Sequence, residues 1–186
     1  CDYLAKQDID LYSYRDYLTA CEYLNLDMTE SKNLYPHDFK YWHDMRIDEY
    51  HTAQALKQAK ERAELEAKFS LIAQKYLPLE YRSRGNYVIC IAKSRMELEN
   101  EGEALEHCVG RMNYDQKILR EETLIFFIRS KTNPHTPYVT LEYSLSNKKI
   151  LQCYGSKNTP PEQSVLDYVN KIWLPYANKQ IKKIAA

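Results

Sequence analysis

The sequence predicts an α+β protein: a helical N-terminal half with one long helix, then a small antiparallel sheet covered by helices. Three observations carry this. Apolar residues recur at three- and four-residue steps over most of the first 76 positions, the period of an amphipathic helix. Between residues 123 and 154 lie three short runs rich in Val, Ile, Phe and Tyr, joined by short connections. Such connections leave no room for crossover helices, so the runs form an antiparallel meander. Pro78 to Gly85 separates the two regimes, giving a helical region over 1–78 and an α+β region over 79–186.

Residues 2–26 read as helix, with Leu4, Leu11, Tyr14, Tyr17, Leu18 and Cys21 on one stripe and a break near Asp8 to Asp10. Asn25 and Asp27 favour a turn. Pro36-His37-Asp38 opens the longest helix, since proline suits a first turn where its missing N–H has no partner. Its stripe runs through Phe39, Trp42, Met45, Leu56, Phe69, Ile72 and Tyr76 to Pro78. A helix of about forty residues predicts a bend or a partner helix.

Tyr87–Ala92 is a short apolar run whose Val and Ile content favours a strand. Ser94-Arg-Met-Glu97 has the spacing of a capping box and starts a short acidic helix that Gly102 is expected to end. Leu105 to Leu119 is compatible with helix, although Gly110 weakens it by about 1 kcal/mol relative to Ala. Thr123–Ser130, Tyr138–Tyr143 and Ile150–Tyr154 are the three meander strands, and Tyr87–Ala92 adds a fourth. Glu162 to Ile184 reads as a final helix with Val165, Val169, Ile172 and Trp173 inward, bent or restarted at Pro175.

At 186 residues the chain fits one domain, or one with an appended helical region. It can bury a core without staples. Lys+Arg and Asp+Glu are equal at 26 each, which argues against a broad electrostatic grip on nucleic acid. A local basic face from Arg82, Arg84, Arg95 and Lys179 to Lys183 remains open. Tyr is abundant at 17 against 4 Phe; it serves as an amphipathic filler of half-buried surfaces or as a stacking platform for bases. Five cysteines, an odd count without CxxC or a signal peptide, predict free thiols in a reducing cytoplasm. No apolar run approaches the ~20 residues that span a membrane. The start at Cys1 suggests a piece of a longer or processed protein.

The chemistry-bearing residues centre on LEHCVGRMNYDQKI, Leu105 to Ile118. His107 and Cys108 are adjacent, and neighbours point about 100° apart on a helix and oppositely on a strand. They are therefore not a nucleophile with its base; Cys108 would use another histidine such as His135, or is a small core residue. Period two places Tyr138, Thr140 and Glu142 on one strand face. A buried Glu142 needs a partner, and Arg129 is the candidate. A three-residue turn sets Gln152 opposite Glu142; a two-residue turn flips that face. The two readings are an exposed polar sheet face and a pocket using Arg129, Thr140, Glu142 and Gln152. His37, His43 and His51 step by six and eight, not the i,i+4 of a helical zinc site. No metal or cofactor is called for, and no Gly-rich phosphate loop occurs.

Leu105-Glu-His107-Cys108-Val109-Gly110, Tyr114, IFFIRS, Pro137-Tyr-Val-Thr140-Leu-Glu142, and Gln152 with Gly155 and Asn158 together resemble the C-terminal region of PcfJ-like proteins. Asp16-Tyr17-Leu18, Leu34-Tyr35-Pro36 and His43-Asp44 extend the likeness upstream. The last motif is similar to Gln-x-x-Gly-x-x-Asn-Arg, but Thr159 follows Asn158 where a basic residue belongs, which weakens a phosphate-binding role. The resemblance implies an accessory protein of conjugative plasmids, integrative elements or phages, acting through protein or nucleic-acid contacts. It brings no established reaction with it. An enzyme acting on a nucleotide or nucleic acid is the alternative: His107 or Glu142 as acid/base group, Arg129 on an anion, and Tyr114, Thr140, Gln152 and Asn158 toward substrate. A scaffold whose long helix pairs with a partner is a third reading.

Overall fold

Helix α1 (Asp2–Lys6) and helix α2 (Leu11–Tyr23) flank the break expected near Asp8. The computed structural model describes residues 2–110 and 113–184. Asp10 caps α2 by accepting from the Tyr12 and Ser13 amides at 2.9 Å each, the usual use of an Asp before a helix. The short α3 (Ser31–Leu34) leads to α4 (Phe39–Tyr76), 38 residues long. Pro36 lies before α4 rather than in its first turn. The cap is Asp38, whose carboxylate accepts from the Tyr41 amide at 3.1 Å.

Residue contacts divide the chain into two units, 1–63 and 64–186, with the boundary inside α4. In the first unit Tyr17, Cys21 and Phe39 form a small core. The expected stripe is only partly buried: Leu11 is 72% and Leu56 67% exposed. Along α4, residues 55–64 are exposed on every face.

The second unit holds the sheet. Strands β1 (Tyr87–Ile91), β2 (Thr123–Ser130), β3 (Val139–Ser144) and β4 (Lys149–Tyr154) lie in the order β1-β2-β3-β4, all antiparallel. This is the predicted meander plus one strand. β2 and β3 are the central strands, and their alternate residues feed two cores. Ile89, Leu124, Phe126, Ile128, Val139, Leu141 and Tyr143 pack with Trp173, Val169 and Ala177. On the other face Ile125 and Phe127 pack with Phe69, Leu98, Val109, Tyr114 and Ile118. Helices thus cover both faces, as a sheet this apolar requires.

The first face is covered by a continuous helical segment: α7 (Gln163–Tyr168), a π-turn over Val169–Trp173, and α8 (Leu174–Ile184). Pro175 neither ends nor restarts it. The wide turn lies just before the proline, where the Leu174 amide bonds the Val169 carbonyl. Gly85 adopts φ +72 beneath Tyr168, where an added Cβ would lie 2.6 Å from the ring. The Tyr168 hydroxyl lies 2.9 Å from both the Arg84 and Tyr87 carbonyl oxygens and shares its one hydrogen between them, tying the start of β1 to α7.

The second face is covered by α5 (Arg95–Ala104) and α6 (Tyr114–Leu119). Ser94 caps α5, accepting from the Glu97 amide at 3.1 Å. Glu97 reaches back to the Lys93 amide at 2.7 Å, close to the predicted capping box. Gly102 does not end this helix; it is buried inside it. The continuous helix expected over Leu105 to Leu119 is also absent. The described part breaks into a 3-10 turn (Cys108–Gly110) and α6, with Glu106 and Asn113 left-handed at φ 51 and 49.

Candidate functional site

The end of α5 sets the site. Leu105 is the cap, the Glu106 amide bonds the Glu103 carbonyl and the His107 amide bonds the Gly102 carbonyl. This paired closure is a Schellman motif. It turns the chain so that His107 faces the sheet. Glu106 occupies the left-handed position that glycine normally fills. Its ion pair with Lys157, at 3.6 Å and exposed on both sides, adds little. Glu106→Gly is expected to stabilise the fold by about 1 kcal/mol, read as a rise of a few degrees in Tm.

A second segment meets it. The Lys157 amide donates to the Leu105 carbonyl at 2.7 Å, and the Gly155 amide to the Thr159 carbonyl at 2.9 Å. This compact loop, with Lys157 and Asn158 at φ 54 and 56, brings Asn158 beside the end of α5. Between these segments and the sheet lies a cavity of about 370 Å³. His107, Tyr114, Thr140, Glu142, Gln152 and Asn158 all line it. Six of the seven residues singled out in the sequence therefore meet in one place.

Arg129 does not join them. It lies on the same sheet face but pairs with Glu101 of α5, Nη1 to Oε1 at 2.9 Å and Nη2 to Oε2 in a second bond. Both lie in the wall of a separate cavity of about 330 Å³, which also holds Cys90 and His135. Glu142 is instead 3.4 Å from Lys117, a residue of α6. Arg129 cannot serve it because α5 takes up the guanidinium first. His135 is likewise not a partner for Cys108. Cys108 itself is exposed at the first cavity rather than buried in the core. The other described cysteines, Cys21, Cys90 and Cys153, are also free thiols. Burial pushes the Cys153 thiol up to about 12, which keeps it protonated and unreactive.

Glu101 is the residue the sequence reading missed. It lies in the short acidic helix and carries no role in the sequence reading, yet it is 3% exposed. The signal is its spacing: Leu98 and Leu105, both buried, lie three before and four after it on the same helical face. Its Oε1 also accepts from the Thr140 hydroxyl at 3.3 Å, and Thr140 Oγ1 lies 2.9 Å from His107 Nε2. A continuous chain thus runs Arg129–Glu101–Thr140–His107 from one cavity to the other.

Glu142, 3% exposed, lies opposite Gln152. That register comes from a four-residue turn, 145–148, and a β-bulge at Leu151 rather than from a three-residue turn. The Tyr114 hydroxyl donates to Gln152 Oε1 at 3.2 Å. Burial, and then the negative charge of Glu142, raise the Tyr114 phenol above its ordinary value, so it stays a neutral donor. The Lys117 ammonium lies 4.8 Å from the Tyr114 ring centroid, a cation–π contact. Two groups suited to proton transfer, an imidazole and a carboxylate, therefore share one cavity. Thr140, which bonds the imidazole, and Glu142 lie ~7 Å apart along β3.

The proposed basic face is partly neutralised. Arg95 pairs with Asp115 at 3.1 Å and Arg82 approaches Glu80 at 3.7 Å. Among the described residues no three His, Cys, Asp or Glu side chains gather as a metal site would need. Nor is any described helix long and apolar enough to cross a membrane.

Fold and site together define an α+β protein with a polar cavity on one face of a four-stranded antiparallel meander. The chain belongs to the PcfJ-like protein family, whose model matches residues 13–167. It is 30% identical over 169 residues to a protein of Listeria innocua itself described as uncharacterized. The match covers 91% of this chain and 35% of that relative, so the chain spans about a third of the relative's length. No solved structure matches it.

Proposed function

We propose that this chain is the ligand-binding part of a mobile-element accessory protein, and that its cavity acts on a nucleotide or a nucleic-acid end. The carrying observation is the convergence of His107, Tyr114, Thr140, Glu142, Gln152 and Asn158 on one space of about 370 Å³. That volume falls in the range of small-ligand sites, where a mostly apolar lining carries a few convergent polar groups. His107 and Glu142 supply acid/base capacity. Gln152 and Asn158 supply amides for base edges, and Tyr154 at the rim supplies an aromatic surface for stacking. The mobile-element setting rests on the family alone.

Calorimetric titration with a panel of nucleosides, nucleotides and short single-stranded DNA and RNA tests this. Binding by at least one member is expected. His107→Ala and Gln152→Ala are each expected to weaken it roughly tenfold or more, the loss of one good hydrogen bond to a polar ligand. No heat from any member at millimolar concentration, or equal affinity in both variants, would sink the proposal.

A further inference from the structure

We propose that Glu101, acting through Thr140, is a positioning residue that holds a proton on His107 Nε2 and leaves Nδ1 with the free lone pair of the neutral ring. Arg129 is always protonated, and it grips both oxygens of Glu101. A carboxylate so held is ionised and only accepts. The Thr140 hydroxyl, 3.3 Å from Glu101 Oε1, therefore spends its single hydrogen on that carboxylate. Its oxygen is left to accept, and the group beside it is His107 Nε2 at 2.9 Å. Nε2 must then be the donor, whether the ring is neutral or charged. In the neutral ring Nδ1 is then the acceptor.

The order of elements explains why this is stable. Arg129 and Thr140 are fixed in neighbouring strands, and Glu101 is fixed on α5 by the buried Leu98 and Leu105 around it. His107, the member of the set outside helix and strand, is the one being oriented. This is the usual task of an outer partner of a catalytic histidine: it selects the tautomer and fixes the ring plane. It also changes the role of Thr140. Its hydroxyl is fully committed and serves the imidazole rather than a substrate. The function given to Nδ1 rests on the nucleotide reading above, whereas the place of the proton rests on the hydrogen bonds alone.

Nitrogen-15 NMR of the whole chain tests it, with the His107 signals assigned by their loss in His107→Gln. In the neutral ring Nδ1 is expected to be unprotonated, and the Nε2–H proton visible and protected from exchange. Thr140→Ser keeps that signal. Thr140→Val loses it to solvent exchange, and Glu101→Gln speeds its exchange. A neutral ring protonated at Nδ1, or an Nε2–H signal that survives Thr140→Val unchanged, overturns the proposal. If Thr140→Val does not fold, the wild-type and Thr140→Ser spectra decide the matter. Absence of nucleotide binding with the Nε2–H signal in place overturns the proposed function alone.

Discussion

Arg129→Leu is expected to destabilise the α+β unit by about 3–5 kcal/mol, the cost of leaving one member of a buried ion pair without its partner. The side chains of Arg129 and Glu101 are 12% and 3% exposed. With the guanidinium gone, the carboxylate keeps only the Thr140 hydroxyl as a side-chain donor. The double change Glu101→Leu with Arg129→Leu should recover most of the loss, because an apolar pair of similar volume removes the charge together with its desolvation cost. Urea unfolding with an unchanged slope is the measurement. A single-variant loss below about 1 kcal/mol would mean that the pair is solvated, contrary to its burial. The double variant also separates stability from site chemistry, since it restores the fold while leaving Thr140 without its acceptor.

Trp173→Ala should be as damaging, at about 3–5 kcal/mol, the range for removing a large aromatic side chain from a core. Trp173 is 0% exposed. Its ring meets Phe126 at 4.9 Å and Tyr143 at 5.7 Å between centroids, both edge to face. Such geometries add to the area buried. Its Nε1 donates to the Leu79 carbonyl at 2.9 Å, so alanine also leaves a buried acceptor unpaired. Trp173→Phe keeps most of the packing and loses only that bond, so it should fall between. Chemical unfolding followed by far-ultraviolet circular dichroism, which needs no tryptophan signal, gives the three values. An alanine variant within 1 kcal/mol of wild type would show that the helical segment does not hold the sheet, against the contacts above.

The strands were legible because their information is local. TLIFFIRS carries its burial on both faces, and β2 is Thr123–Ser130 as read. The alternation of Val139, Thr140, Leu141 and Glu142 set the two faces of β3, and with them the polar cavity floor. What stayed hidden was non-local. The partner of Arg129 lies 28 positions away in sequence on a helix of mixed polarity, so Glu142, nearer in strand register, was the natural guess. The Leu105 to Leu119 stretch failed for a different reason. Glu106 and Asn113 adopt left-handed backbone without being glycine; Asn is enriched there, but nothing in the residue type marks Glu106. The register of Gln152 was reachable only as a parity, and the bulge at Leu151 satisfied it by a route that turn length alone does not suggest.

The wide turn at Val169–Trp173 has a consequence for length. Val165, Val169, Trp173, Ala177 and Ile181 are all buried at intervals of four, yet an ordinary α-helix drifts by ~40° at each such interval. Over four intervals the face would wander ~160° away from the sheet. The extra residue in the wide turn takes back much of that rotation, as a leap day corrects a calendar. Side chains on the solvent side, such as Asn170, are therefore free to vary, whereas the number of residues in the segment is not.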